Sequence, residues 1–435
     1  MKLCLISPEA TPLSRFTALK DFWASCEYTK SYRETWTGIS AGIATVAGLT
    51  PNSFDIEVID ENFDEIDFDA DYNLVGISAM TQQANRAYEI ARRFRERHIP
   101  TVMGGIHATT LTEEAQKHCD SVVVGEAEYL WPELLDDFQK GKLKPRYKSD
   151  RIVDLKDAPI PRYDLLKKNR YKTIWMQSTR GCPRDCEFCC VTKEYGTAYR
   201  SKGLDQILEE LTLIKKFHPI ARIGFSDENL LLNKKRSKQL LEELTSMKVR
   251  FHAQSDVSLA RHDDVLRLLK KAGCINVLIG FESLSEKSLE SIDAHGWKRR
   301  QLDTYGDCVK KIQSYGIGVV GAFIVGLDGD DSTIFKKVSD FITNNHVHDA
   351  QITIATPLPN TRLRARMEKE NRLLPTSWKD YTFCDVVFKH PTLSRKEMED
   401  GLLEIYKAIN TKAVHDAKID HFSDIFRNLR RKKTG

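Results

Sequence analysis

Apolar residues fall in short, dense runs over the first 150 positions, separated by stretches of helical period. KLCLIS (2–7) reads as a strand, FDIEVID (54–60) as a second with alternating apolar positions, and YNLVGISAM (72–80) as a third. A helical pattern runs from about Gln82 to His98. IPTVMGG (99–105) and SVVVGE (121–126) follow, both β-branched and ended by glycine. Buried strands alternating with helices predict a parallel sheet covered on both faces. Ligands of such sheets bind beyond the carboxyl ends of the strands. The informative loops are therefore GISAMT, GGIHAT and GEAE, where glycine permits either a tight turn or close backbone approach to a ligand. No GxGxxG follows the first strand, so a dinucleotide fingerprint is absent. The stretch at 144–166, rich in charge and proline, reads as a linker.

A second series begins near Tyr171. TIWMQST (173–179) is a strand that runs into RGCPRDCEFCC. Further strands are read at 221–229, 249–256, 275–283, 316–326 and 349–359. Helices are read at 204–217, 237–247, 264–273, about 301–314 and 333–344. Each strand but the last is thus followed by a helix. A full eight-unit barrel needs about 250 residues, and this series spans about 190, so an open, partial barrel is expected. Its site would lie at the carboxyl ends of the strands. Beyond residue 370 the pattern turns helical, at 394–409 and 422–431, and ends in a basic tail that reads as a solvated helix.

Composition narrows the class. The chain has 435 residues, 41% hydrophobic and 29% charged, which excludes disorder as its global state. Its 66 basic and 62 acidic residues leave no electrostatic footprint for nucleic acid. No apolar run reaches the roughly 20 residues of a membrane span, and the N-terminus has no signal-peptide plan. A reducing, cytoplasmic location is expected, with the 10 cysteines as thiols or metal ligands rather than disulfides.

Six cysteines are scattered and read as small buried hydrophobes. The other four crowd together: Cys182, Cys186, Cys189 and Cys190. The first three are spaced CxxxCxxC, and three thiolates on one loop can bind three corners of a cubane iron–sulfur cluster. Pro183 and Gly181 keep the loop out of a helix, and Phe188 would shield the cluster. Zinc is the competing reading, but no second knuckle or paired histidine accompanies the motif. Cys190 is surplus, read as a buried thiol in preference to an alternative ligand.

On this motif, with an aromatic before its last cysteine and a partial barrel around it, the chain resembles the radical S-adenosylmethionine superfamily. The resemblance implies that Cys182, Cys186 and Cys189 ligate a 4Fe–4S cluster whose open iron chelates S-adenosylmethionine. Reductive cleavage would then give a 5′-deoxyadenosyl radical, the electron coming from a donor such as flavodoxin or ferredoxin. The cofactors carry the hard chemistry and the protein orients them. By the same resemblance Asp227 and Glu228, with Asn229, would reach the methionyl amino group, and Gln254 would line the cofactor pocket. Glu282 and Ser283 would contact the ribose, and the segment from Gly321 to Gly326 would lie beside the adenine.

GISAMT, VMGGIHATTLTEEA and DSVVVGEAEYLWPELL resemble, in order and spacing, the cobalamin-binding domain that precedes many such barrels. Ser78, Thr81, Gly104, Gly105, His107, Gly125 and Glu126 would then line the cobalamin pocket. The motif DxHxxG is absent: the only DxH, Asp293–His295, lies inside the barrel and has Lys298 where glycine is needed. His107 is expected to line the pocket rather than to ligate cobalt. The implied division is a doubly wound, Rossmann-like α/β domain for cobalamin (1–143), a linker (144–166), a partial (β/α)6 TIM-like barrel (167–370) and a small helical cap (371–435). The implied function is a cobalamin-dependent radical methyltransferase acting on an unactivated carbon of a small molecule, lipid or tetrapyrrole. The alternatives are oxidative cyclisation, ring rearrangement or carbon–carbon coupling with the same cofactors, and a non-catalytic sensor. Tyr381, Phe383 and Phe388 are candidates for an apolar substrate pocket, with core packing as their other reading.

Overall fold

Two six-stranded parallel sheets organise the chain. The computed structural model describes residues 1–10, 13–30, 41–293 and 295–434. The first sheet has the order β2-β1-β3-β4-β5-β6, from β1 (Lys2–Ser7), β2 (Asp55–Asp60), β3 (Leu74–Ser78), β4 (Thr101–Gly104), β5 (Ser121–Val124) and β6 (Arg146–Lys148). Alternate residues of each strand serve opposite faces. Leu3, Leu5, Leu74 and Val102 join one apolar cluster, while Cys4, Ile6, Val75 and Met103 join another. Helices α2 (Ala41–Leu49) and α6 (Leu130–Gln139) cover the first face, and α3 (Ala84–Glu96) the second. The chain steps from β1 to β2 on one side and to β3 on the other, so the strand order reverses at β1 and opens a crevice there.

The second sheet has the order β14-β13-β12-β11-β10-β7. Its members are β7 (Thr173–Met176), β10 (Arg222–Phe225), β11 (Phe251–Ser255), β12 (Cys274–Glu282), β13 (Gly318–Val325) and β14 (Asp349–Ile354). All five pairings are parallel. Neighbours in the sheet are successive barrel strands in the sequence, each linked by a helical crossover, which is the expected open barrel. Helix α8 (Leu204–Phe217) occupies its expected residues, and α10 (Asp263–Ala272) ends on Gly273 at φ 97°, the left-handed cap that glycine supplies at least cost.

Several elements depart from the expectation. Residues 146–148, read as linker, form the sixth strand of the first sheet, and Val153, Leu155 and Tyr163 beyond them are buried. Helices α1 (Thr17–Ser25) and α2 were not anticipated. The GGIHAT loop is a helix, α4 (Gly105–Thr110), from its second glycine onward. The last barrel strand stops at Ile354 rather than at residue 359, since Pro357 and Pro359 cannot donate to a ladder. A helix follows it too: α14 (Arg362–Lys369), capped by the Thr361 side chain, which accepts from the Arg364 N–H. The C-terminal helix α16 spans Lys412–Thr434 rather than 422–431. Among the described residues no helix is long and apolar enough to cross a membrane.

Candidate active site

After β7 the chain forms a two-residue strand β8 (Thr179–Arg180), paired antiparallel with β9 (Arg200–Ser201). The cysteine loop follows at once. Gly181 begins it at φ 93°, where an added Cβ would lie 2.2 Å from the Ala198 carbonyl oxygen, so only glycine fits. The charged residues between the cysteines all point into anchors. Arg184 pairs with Asp256 at 3.0 Å and lies 3.8 Å over the Trp297 ring. Arg362 of α14 donates to the Asp185 carbonyl at 2.8 Å. Glu187 pairs with Arg366 at 2.7 Å, and its carbonyl accepts from the Leu363 N–H at 3.0 Å. Arg366 also holds Asp328, which Arg372 grips at 2.6 Å. Thus α14, one of the helices that the pattern missed, fixes the loop from outside.

The cysteines themselves are half-buried free thiols. Burial is the main reason that the thiol of Cys186 is pushed up to about 11 and that of Cys189 to about 12, and neighbouring thiols add to both shifts. Crowded, desolvated thiols of this kind ionise when a metal compensates them. Among the described residues no three His, Cys, Asp or Glu side chains converge on a single ion. Cys190 starts the short helix α7 (Val191–Tyr195) and is half-buried.

The residues expected at the strand ends divide into two sets. Asp227 is fully buried; it accepts from the Ser178 N–H at 3.1 Å, the Ser178 hydroxyl at 2.7 Å and the Thr179 hydroxyl. Its carboxylate braces the turn ahead of the cysteine loop. Glu228 next to it has a buried oxygen, Oε2, with no partner, and burial raises its carboxyl to about 7. A bare carboxylate oxygen near Cys182 and Cys190 fits a cationic amino group. Asn229 is spent internally, accepting from the Leu231 N–H and donating to Asp256. Gln254 is half-buried and lines a small interior chamber with Trp175, Phe225 and Asn276. Glu282 pairs with buried Lys298 at 2.9 Å and sits at φ 67°, where β12 and β13 shift register. Ser283 is buried and its hydroxyl accepts from the Ser285 N–H. A Cβ at Gly321 would meet the Phe323 ring at 2.7 Å, so this glycine serves packing.

In the first domain a narrow apolar cleft, with a volume of about 60 Å³, opens at the carboxyl ends of the strands. Ser78, Gly104, Gly105 and Gly125 converge on it, with Gly76, Ala127 and Trp131. A Cβ on Gly76 would stand 2.8 Å from Leu5, and one on Gly105 2.9 Å from the Ala79 carbonyl. The slot is narrow, apolar and floored by glycine, and it lies where parallel sheets of this kind bind their ligands. The remaining expected residues lie elsewhere. Thr81 is buried in a turn. His107 is wholly buried in α4, its Nε2 2.8 Å from the Tyr88 hydroxyl and its ring edge-on to Trp378. Burial holds its imidazole down at about 4. Glu126 faces Arg180 at 2.6 Å and Arg200 at 2.9 Å. Of the three aromatics, Tyr381 and Phe388 are core residues, and Phe383 alone is exposed, at φ 68°. Sequence reading missed Arg180, Arg200, Glu128 and Arg366, because spacing says nothing about a charged residue's distant partner.

Comparison with known proteins agrees with this geometry. The radical SAM superfamily model matches residues 176–342, and the B12 binding domain model matches residues 37–135. The chain is 30% identical to bacteriochlorophyllide d C-8(2)-methyltransferase of Chlorobaculum tepidum, over 84% of each chain. It is 26% identical to hopanoid C-2 methylase of Rhodopseudomonas palustris, over 77% of this chain and 65% of that one. The fold is that of the radical S-adenosylmethionine methyltransferase TsrM from Kitasatospora setae, with a TM-score of 0.70, 15% identity, and coverage of 95% of this chain and 90% of that one. Loop, slot, barrel and relatives together place the chain in the cobalamin-binding radical S-adenosylmethionine family of enzymes, whose cofactors are a 4Fe–4S cluster, S-adenosylmethionine and cobalamin.

Proposed function

We propose that this enzyme methylates an unactivated carbon of a tetrapyrrole or lipid. One observation carries the reading. The glycine-floored slot and the cysteine loop lie in one chain and are linked by an ion pair, since Glu126 beside the slot pairs with Arg180, two residues before Cys182. The relatives supply the substrate class: one is named for a bacteriochlorophyllide, another for a hopanoid.

When bound, the cofactors supply an electron, a 5′-deoxyadenosyl radical that abstracts hydrogen, and a transferable methyl group. The chain's own work is placement. Cys182, Cys186 and Cys189 would hold the cluster. Glu228 would take the methionyl ammonium on its bare oxygen, and that positive charge would return the carboxyl to its ionised form. Asp227 keeps the preceding turn fixed, and α14 keeps the loop from swinging outward. Ser78, Gly104, Gly105 and Gly125 would hold cobalamin with close backbone contacts. Phe383, an exposed aromatic held in a strained conformation, would meet the apolar substrate. The electron would come from a small reductant such as flavodoxin or ferredoxin, which suits a cytoplasmic location.

Anaerobic turnover with a bacteriochlorophyllide and, separately, a hopanoid tests this. The expected product gains one CH2 unit, with 5′-deoxyadenosine and S-adenosylhomocysteine formed in comparable amounts and no product without cobalamin. 5′-Deoxyadenosine without S-adenosylhomocysteine, or a product that has lost hydrogens or dimerised, would replace methyl transfer by cyclisation or coupling.

A further inference from the structure

Arg180 and Arg200 stand directly opposite each other across the β8–β9 ribbon. Like charges in that position destabilise a strand pair. Two carboxylates from the first domain offset this. Glu126 accepts from Arg180 at 2.6 Å and from Arg200 at 2.9 Å, and Glu128 accepts from Arg180 at 2.6 Å. All four side chains are largely buried, from 12% exposed for Glu126 and Arg200 to 3% for Glu128.

Apolar residues of equal volume would join two domains at least as firmly as buried ion pairs do. What ion pairs add is geometry. The third edge of the Arg180 guanidinium is also used, its Nε–H donating to Gln177 at 2.7 Å. A planar fork held on all three edges fixes orientation as well as distance. The chain neighbours give that fixation a purpose. Glu126 lies between Gly125 and Ala127, both in the wall of the slot. Arg180 is followed by Gly181 and Cys182.

We propose that Arg180, gripped by Glu126 and Glu128, is a positioning residue that holds the cluster loop and the cobalamin slot in one register, so that filling one is felt at the other. The inference rests on the cofactor assignment made above. By linkage the effect is reciprocal: S-adenosylmethionine at the loop changes cobalamin affinity by the factor with which cobalamin changes its own.

The test uses the full chain with its cluster reconstituted. Cobalamin affinity is measured by absorbance titration with and without S-adenosylmethionine, and the reduced cluster's paramagnetic resonance spectrum is recorded with and without cobalamin. In the unaltered chain the two affinities should differ by about fivefold or more, and the spectrum should shift. In Arg180→Lys, which keeps the charge and loses the fork, the ratio should fall to about one and the shift should vanish at unchanged iron content. Glu128→Gln, which keeps shape and acceptor, should shrink both and serves if the arginine variant folds poorly. A variant that keeps the full ratio and shift would overturn the proposal, as would an unaltered chain that shows neither. Failure of cobalamin to bind at all would instead overturn the cofactor assignment, and the proposal with it.

Discussion

Asp227 and Glu228 are adjacent carboxylates with different work. One is saturated by Ser178 and Thr179; the other has a buried oxygen without a partner. The sequence placed both at a strand end but held no sign of which one Ser178 would satisfy, because that pairing forms only when β7 and β10 lie side by side. Glu228→Gln should weaken S-adenosylmethionine binding by about tenfold or more, the worth of one charge-assisted hydrogen bond. Equilibrium titration of the reconstituted chain measures it, and unchanged affinity would remove Glu228 from the site. The cysteines were legible because their spacing is itself the signal. His107 was legible as a polar residue in an informative loop, but α4 begins at Gly105 and carries the ring beneath the surface. Its imidazole, held down at about 4, gives a pH prediction. The unfolded chain takes up a proton below its ordinary value of 6.5 that the folded chain refuses, so stability falls as the pH drops through that window. The share of His107 in that loss should be about 2 kcal/mol between about pH 7 and about pH 5, with other buried histidines adding their own. Urea unfolding at the two pH values checks this, and His107→Gln should lose less.

Elements were legible where burial gives a pattern. The barrel strands and α8 are dense or amphipathic, and they appear close to where they were read. Helix α2, AGIATVAGL, is apolar almost throughout and so shows no helical period. Strand β6 is three residues long with only Tyr147 buried, too short to distinguish from a linker. Helix α14 has a clear cap, Thr361 bonded to the Arg364 N–H, yet its partners lie in a loop some 180 residues earlier. At this scale Gly181 is the sensitive position. Gly181→Ala forces a side chain into the left-handed region and against the Ala198 carbonyl. Iron retained after reconstitution should fall to less than about half, a consequence of displacing the loop by even a fraction of an ångström. Full iron content in that variant would mean that the loop tolerates the shift.

One apolar cluster runs from the first sheet through the stretch at 144–166 into the barrel and cap, including Leu5, Trp131, Tyr163, Met176 and Met398. The two domains therefore share a core, which a reading in separate units with a linker does not convey. Asp385 in the cap ties the N-terminal segment to it: it accepts from the Ser14 hydroxyl and from the backbone N–H groups of Arg15 and Phe16. Asp385→Ala should cost about 3 kcal/mol, because several buried donors lose one acceptor; denaturant unfolding followed by fluorescence measures it, and a cost below about 1 kcal/mol would show that the cap is held elsewhere.

The central claim is that three thiols of one loop hold an iron–sulfur cluster with an open iron. Anaerobic reconstitution followed by paramagnetic resonance tests it most directly. The expected result is about four irons per chain, a reduced signal that shifts when S-adenosylmethionine is added, and formation of 5′-deoxyadenosine, all lost in Cys186→Ala. A tightly held zinc, or a cluster signal indifferent to S-adenosylmethionine, would contradict it.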